Sequence, residues 1–109
     1  MTKEKQAAVA AVEAKRDLVA QVADSIWDYA ELSLQETRSA ALYCEVLEKE
    51  GFTVEKGICN IATAFSASYG SGRPVIGILA EYDALSGLSQ EGGSVERKER
   101  VSGGCGHGC

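Results

Sequence analysis

Apolar residues change their spacing twice along this 109-residue chain, and each change marks a different kind of element. From about Lys3 to Leu32, the residues Val12, Val19, Val22, Ile26 and Tyr29 recur at helical intervals and share one face. Lys15, Asp17, Asp24, Asp28 and Glu31 fall largely elsewhere. That pattern predicts one long first helix. Ser33-Leu34-Gln35-Glu36 then reads as a capping box, in which the Ser33 hydroxyl accepts from the Glu36 N–H and the Glu36 side chain reaches back to the Ser33 N–H. It opens a second helix to about Glu50, with Ala40, Tyr43, Cys44 and Leu47 inward. Gly51 suits the left-handed residue that closes a helix, with Phe52 folding back onto Leu47.

Beyond Gly51 the period shortens to that of strands. Phe52-Thr53-Val54-Glu55 predicts a short strand. From Asn60 to Tyr69 the residues Ile61, Thr63, Phe65, Ala67 and Tyr69 alternate with mostly small ones. Gly70-Ser71-Gly72-Arg73 marks a turn, and Pro74 stands where a strand can begin without donating an N–H. Val75-Ile76-Gly77-Ile78-Leu79-Ala80 is continuously apolar, which predicts a strand covered on both faces inside an α/β sheet. After residue 81 the periodicity is lost. Ten of the twelve glycines lie in residues 70–109, so the chain ends in loop, and Glu91 to Arg100 reads as a solvated stretch. The expected organisation is a helical pair over 1–51, strands over 52–81 and a Gly-rich loop over 82–109. Two helices cannot easily cover both faces of such a sheet, so the fold class expected is the opening part of a larger α/β domain.

Composition narrows the function classes. With 45% apolar and 25% charged residues the chain has a globular make-up, and its length sets the prior at one domain or less. A net charge of −5 argues against nucleic-acid and anionic-membrane partners, since Arg97-Lys98-Glu99-Arg100, the only dense basic run, is broken by an acid. The apolar runs fall short of a bilayer span, and Met1 to Gln6 lacks the apolar stretch of a secretory signal, so a cytoplasmic location is expected. Cys44, Cys59, Cys105 and Cys109 are then thiols, the first two read as small buried hydrophobes. Trp27 reads as a packing anchor.

Two places carry candidate chemistry. Glu81-Tyr82-Asp83 brings charge in abruptly where the apolar run ends, and in open α/β sheets ligands gather beyond the carboxyl ends of strands. The two acids either bind or orient a metal or are solvated, helix-capping carboxylates; spacing alone leaves both open. Cys105-Gly106-His107-Gly108-Cys109 sets two thiols and the only histidine within five residues, a donor set suited to zinc or a similar metal. A closed structural site needs a fourth ligand, from Cys59 or Asp83, and a reduced tail without metal is the other reading.

Several segments together resemble one family. Ile26-Trp27-Asp28-Tyr29-Ala30-Glu31-Leu32, with Gln35-Glu36 and Ser39-Ala40, resembles the first helix pair of metal-dependent amidohydrolases, and Leu47 to Val54 their helix-to-strand junction. Thr63-Ala64-Phe65, the stretch from Gly72 to Leu85, and Gly87-Leu88-Ser89-Gln90 resemble their hairpin, buried strand and following loop. Over about residues 20–109 the chain is similar to the aminoacylase–carboxypeptidase group of metallopeptidases, in the branch of the B-type p-aminobenzoyl-glutamate utilisation enzymes. Gly106-His107-Gly108-Cys109 aligns with the first four positions of the family's Gly-His-Gly-Cys-Gly-His-Asn motif.

This resemblance implies an N-terminal portion of a zinc-peptidase-like catalytic domain: two helices, a β-hairpin or mixed sheet, then the loop. It implies Cys109 as a metal ligand, His107 and Glu81 as candidate ligands, and Asp83 as the catalytic carboxylate that the family places beside the metals. Two divalent ions per complete site, zinc or manganese, would share and activate a water that attacks the amide of an N-acyl amino acid or p-aminobenzoyl-glutamate-like substrate. The general-base glutamate and the remaining ligands are expected downstream, so the 109 residues alone are expected to be inactive, and the complete protein to form a homodimer or hetero-oligomer. Ser86 stands where the family usually has Pro, and Cys105 where Asn is common. The readings from other classes are a small Cys/His metal-binding module and a helical interaction protein built on residues 3–50.

Overall fold

A computed structural model of the chain describes residues 1–108. Three helices come first: α1 (Lys3–Glu13), α2 (Arg16–Tyr29) and α3 (Thr37–Lys49). The strands β1 (Thr53–Lys56) and β2 (Phe65–Ser68) follow, separated by a short 3-10 turn at Ile58–Asn60. They form a two-stranded antiparallel hairpin, with Thr53 opposite Ser68 and Lys56 opposite Phe65. The α/β mix is as expected, and the sheet is this hairpin alone among the described residues.

The long first helix is two helices. Thr2 caps α1, its hydroxyl accepting from the Lys5 N–H, but every residue of α1 is exposed, Val12 among them. Without a buried face the continuous hydrogen-bond ladder gains nothing from packing, and the chain turns at Ala14-Lys15. α2 is the amphipathic part. Ile26 is buried and Leu18, Val22 and Tyr29 are half-buried, whereas Val19 stays exposed. α2 ends at Ala30, a left-handed residue with φ 44°.

The expected capping box does not form. α3 starts at Thr37, and its first turn is capped by the Glu31 carboxylate. Glu31 accepts from the Arg38 N–H at 3.0 Å, from the Ser39 N–H and Ser39 hydroxyl at 2.7 Å each, and from the Thr37 hydroxyl. Glu36 turns inward instead, where it is buried and accepts from the Thr63 hydroxyl at 2.7 Å. One carboxylate facing four donors at a helix N-terminus beats a local Ser–Glu exchange, because it also meets the helix dipole. Burial pushes the Glu31 carboxyl up, but the hydrogen bonds from Arg38, Ser39 and Thr37 outweigh it and hold it below the usual 4.5. Its folded-state value is thus depressed, so its stabilisation is present at neutral pH and fades as pH falls through that lowered value. Glu31→Ala is expected to cost about 1–3 kcal/mol at pH 7 in thermal unfolding followed by circular dichroism. The gap from wild type should shrink in acid; an equal gap at pH 7 and pH 3 contradicts this role for the cap.

The far end of α3 follows expectation. Gly51 is left-handed with φ 93°, and the Phe52 N–H donates to the Leu47 carbonyl at 3.0 Å. Cys44 is buried on the inner face with Tyr43 and Leu47 half-buried, whereas Cys59, expected inside, is exposed on the 3-10 turn.

The largest difference concerns Val75–Ala80. This segment is unpaired and exposed: Ile78 is 91% and Leu79 92% accessible. A strand covered on both faces needs a neighbour along each edge and a layer over each face, and the hairpin offers this segment neither. The interior apolar residues are Ile26, Cys44 and Ala84 alone among the described residues. The radius of gyration, 16.6 Å, exceeds the about 13 Å of a compact chain of this length. No helix of the described residues is long and apolar enough to cross a membrane.

Candidate functional site

The acidic segment after residue 80 returns to the folded part through Tyr82 and Ala84. The Tyr82 ring packs 5.3 Å from the Tyr43 ring and 6.0 Å from the Phe65 ring, centroid to centroid, and its hydroxyl donates to the Thr63 carbonyl. Burial, with the Glu36 charge behind it, pushes the Tyr82 phenol up, so it remains a donor across the physiological range. Ala84 is 2% accessible, and its N–H donates to the Glu31 carbonyl at 2.7 Å in a parallel bridge beside Leu32. Asp83 lies between these two anchors and is half-buried, while Glu81 is exposed. Tyr82 and Ala84 pack inward on either side of Asp83.

A second bridge ties the glycine-rich end to this segment. Leu85 and Gly106 exchange both backbone hydrogen bonds, at 2.9 and 3.0 Å, and the Ser89 N–H donates to the Gly104 carbonyl at 3.1 Å. Ser89, buried, accepts from the Val101 N–H. Gln90 holds the loop between them, donating to the Glu96 carbonyl at 2.8 Å and accepting from the Lys98 N–H at 3.1 Å. The charged stretch 91–100 is therefore exposed, as expected, yet ordered by a side chain whose role no local pattern shows.

Gly106 is where the loop touches hardest. A Cβ there would lie 2.0 Å from the Leu88 carbonyl oxygen and 2.9 Å from the Ser89 nitrogen, so only glycine lets the two backbones meet. His107 follows, half-buried, with its Nε2 3.1 Å from the Ile26 carbonyl and its ring 6.2 Å from the Trp27 ring. Cys105 is half-buried, and Cys109 lies outside the described residues.

The two predicted sources of ligands, Glu81 with Asp83 and the segment of His107, are thus brought onto neighbouring backbone by the Leu85–Gly106 bridge. Their side chains do not converge: among the described residues, no three His, Cys, Asp or Glu side chains form a group able to hold a metal ion. Thiolate, imidazole and carboxylate fit a divalent ion in kind, and the described residues fall short of one in number. Trp27, expected as a packing anchor, also lines a cleft of about 610 Å³ with Asp24, Asp28, Glu91, Glu99 and Arg100, whose lining includes neither Asp83 nor His107. An Arg100–Asp28 ion pair spans it.

Comparison with known proteins gives the class and then the particular relative. The similarity is to a hydrolase, as the resemblance over about residues 20–109 implies. The chain is 46% identical over 99 residues, 91% of its length, to the B-type subunit of the p-aminobenzoyl-glutamate hydrolase of Escherichia coli (strain K12). It spans 21% of that protein's length. No family model and no solved structure matches the chain.

Proposed function

We propose that this chain supplies one wall of the active site of a metal-dependent amidohydrolase acting on p-aminobenzoyl-glutamate or a similar N-acyl amino acid. The observation that supports it most is the 46% identity to a hydrolase with that name, running across 91% of the chain. The bridge between Leu85 and Gly106 adds a physical reason, since it sets the acid-bearing backbone beside the Cys/His-bearing one.

In this reading Cys109, as a thiolate, holds the metal with His107 and Glu81 as further candidate ligands, two ions in the complete site, with zinc or manganese the ions of choice. When bound, such an ion polarises the scissile carbonyl and lowers the pKa of water. Asp83 takes the role of an orienting carboxylate, held between the Tyr82 and Ala84 anchors so that its charge stays at the mouth of the segment. Tyr82 and Ala84 exclude water from the inner side of that backbone. The apolar run Val75–Ala80 becomes an interior strand once the remainder of a catalytic domain covers it. The relative is named as one subunit of its hydrolase, so an assembly with a second kind of subunit, working in the cytoplasm, belongs to the same reading.

The test uses a chimera in which this chain replaces the matching 21% of the E. coli relative. Hydrolysis of p-aminobenzoyl-glutamate is expected, to fall at least about 100-fold after chelation, and to return with Zn2+ or Mn2+. The 109 residues alone are expected to be inactive. Full activity of the chelated chimera contradicts the metal reading, and a soluble chimera inactive with either ion contradicts the substrate reading.

A further inference from the structure

We propose that the segment 75–80 of this chain is a self-association strand, which pairs antiparallel with the same segment of a second copy about a two-fold axis at Gly77. The inference is independent of the metal reading. No backbone N–H or carbonyl of residues 75–80 has a backbone partner among the described residues. Val75, Ile76, Ile78 and Leu79 are all exposed. An uncharged edge of this length, rich in β-branched residues, is a template for another strand.

The order of residues around Gly77 favours a second copy of this chain in one orientation. In an antiparallel pair centred there, Ile76 faces Ile78, Val75 faces Leu79 and Arg73 faces Glu81. Apolar residues meet apolar ones, and opposite charges meet at both ends. A parallel copy in register would instead set Arg73 on Arg73 and Glu81 on Glu81, and like charges directly opposite destabilise a sheet. Arg73 and Glu81 are exposed, and neither has an ion-pair partner among the described residues. The two-fold axis makes the contact self-complementary, so each copy contributes the same strand and receives the same one.

Proline sets the phase of the ladder. Along an antiparallel pair, residues that exchange both backbone bonds with the partner alternate with residues that turn their backbone away. With Gly77 in a bonded pair, Val75 and Leu79 are bonded too, while Pro74, Ile76 and Ile78 turn theirs outward. Pro74 has no N–H, so on the outer edge it leaves the ladder intact. The opposite phase would turn Pro74 toward the second copy and remove a bond.

The test follows association of the 109-residue chain by sedimentation velocity and amide exchange. It compares wild type with Arg73→Glu, Glu81→Arg, the double reversal and Gly77→Pro. The wild type is expected to form a dimer with a dissociation constant of about 100 μM. Each single reversal should weaken it at least about tenfold, and the double reversal, which restores opposite charges, should return it to within about threefold. Gly77 has open space where a Cβ would stand, so Gly77→Pro spares the monomer. It removes the donor at the axis and should also weaken the dimer at least about tenfold. In the dimer the Val75, Gly77 and Leu79 amides should exchange more slowly than those of Ile76 and Ile78. Pairing is set by concentration, so the dilute chain remains the monomer described above. A wild type still monomeric at about 1 mM, the weak end of specific binding, overturns the proposal and leaves the rest of a catalytic domain as the occupant of this strand. It is equally overturned by reversals without effect, by a double reversal no better than the singles, or by protection at Ile76 and Ile78 instead.

Discussion

Gly106→Ala is expected to detach the glycine-rich loop from the rest of the protein. The added methyl would meet the Leu88 carbonyl oxygen at 2.0 Å, its carbon at 2.5 Å and the Ser89 nitrogen at 2.9 Å. All three are backbone atoms, which cannot swing aside as the end of a side chain does. Relief therefore requires the two backbones to separate, and the Leu85–Gly106 hydrogen bonds go with them. Overpacking of this kind costs about 3 kcal/mol where the neighbours cannot move. Amide exchange at Leu85 should accelerate by about 100-fold, since each 1.4 kcal/mol is about a factor of ten. The Val54 and Ala67 amides in the hairpin, remote from the clash, should keep their rates. Exchange at Leu85 within about threefold of wild type would show that the bridge does not hold this loop.

Ile78→Asp is expected to have opposite consequences in two settings. In the 109-residue chain Ile78 is 91% exposed, so the change should move stability by no more than about 0.5 kcal/mol. In the chimera that completes the E. coli relative, the same residue is proposed to lie in an interior strand. An unpaired carboxylate buried there costs several kcal/mol, about 3–5, which is most of a domain's stability. Thermal unfolding should therefore leave the short chain's midpoint within a degree or two, while the chimera loses its cooperative transition or its solubility. Equal tolerance in both proteins would mean that the apolar run stays on the surface, and the proposed domain would have no central strand.

These two residues also show which parts of the fold are legible in the sequence. Local devices are. The Gly51 cap with its Phe52–Leu47 bond is written within six residues, and so is the alternation that makes β2 inward-facing at Phe65 and Ala67. What local pattern misses depends on partners far along the chain. Ser33 and Glu36 have the spacing of a capping box, but Glu31 holds the donors of α3 and Thr63 claims Glu36. Val12 and Val19 continue the helical stripe, yet no element comes to cover them. Val75–Ala80 has the composition of an interior strand and, in this chain, no interior to enter.

The candidate site divides the same way. Residue type alone singles out Glu81, Asp83, His107 and Cys109, because thiols, imidazole and paired acids are rare in such company. The relative placement of Glu81, Asp83 and His107 rests on Leu85 pairing with Gly106 and on a glycine that admits the Leu88 carbonyl, neither of which leaves a periodic trace. The pair of glycines flanking His107 is the one available signal; it suggests a tight turn, whereas at Gly106 its function is close approach.

Most depends on a metal bound through the Cys109 thiolate. X-ray absorption at the zinc edge of the Zn2+-loaded chimera, wild type against Cys109→Ser, reads that bond directly. The prediction is a sulfur neighbour at about 2.3 Å in the wild type that vanishes in Cys109→Ser. A zinc shell made only of nitrogen and oxygen in the wild type, or a sulfur that survives the substitution, contradicts it.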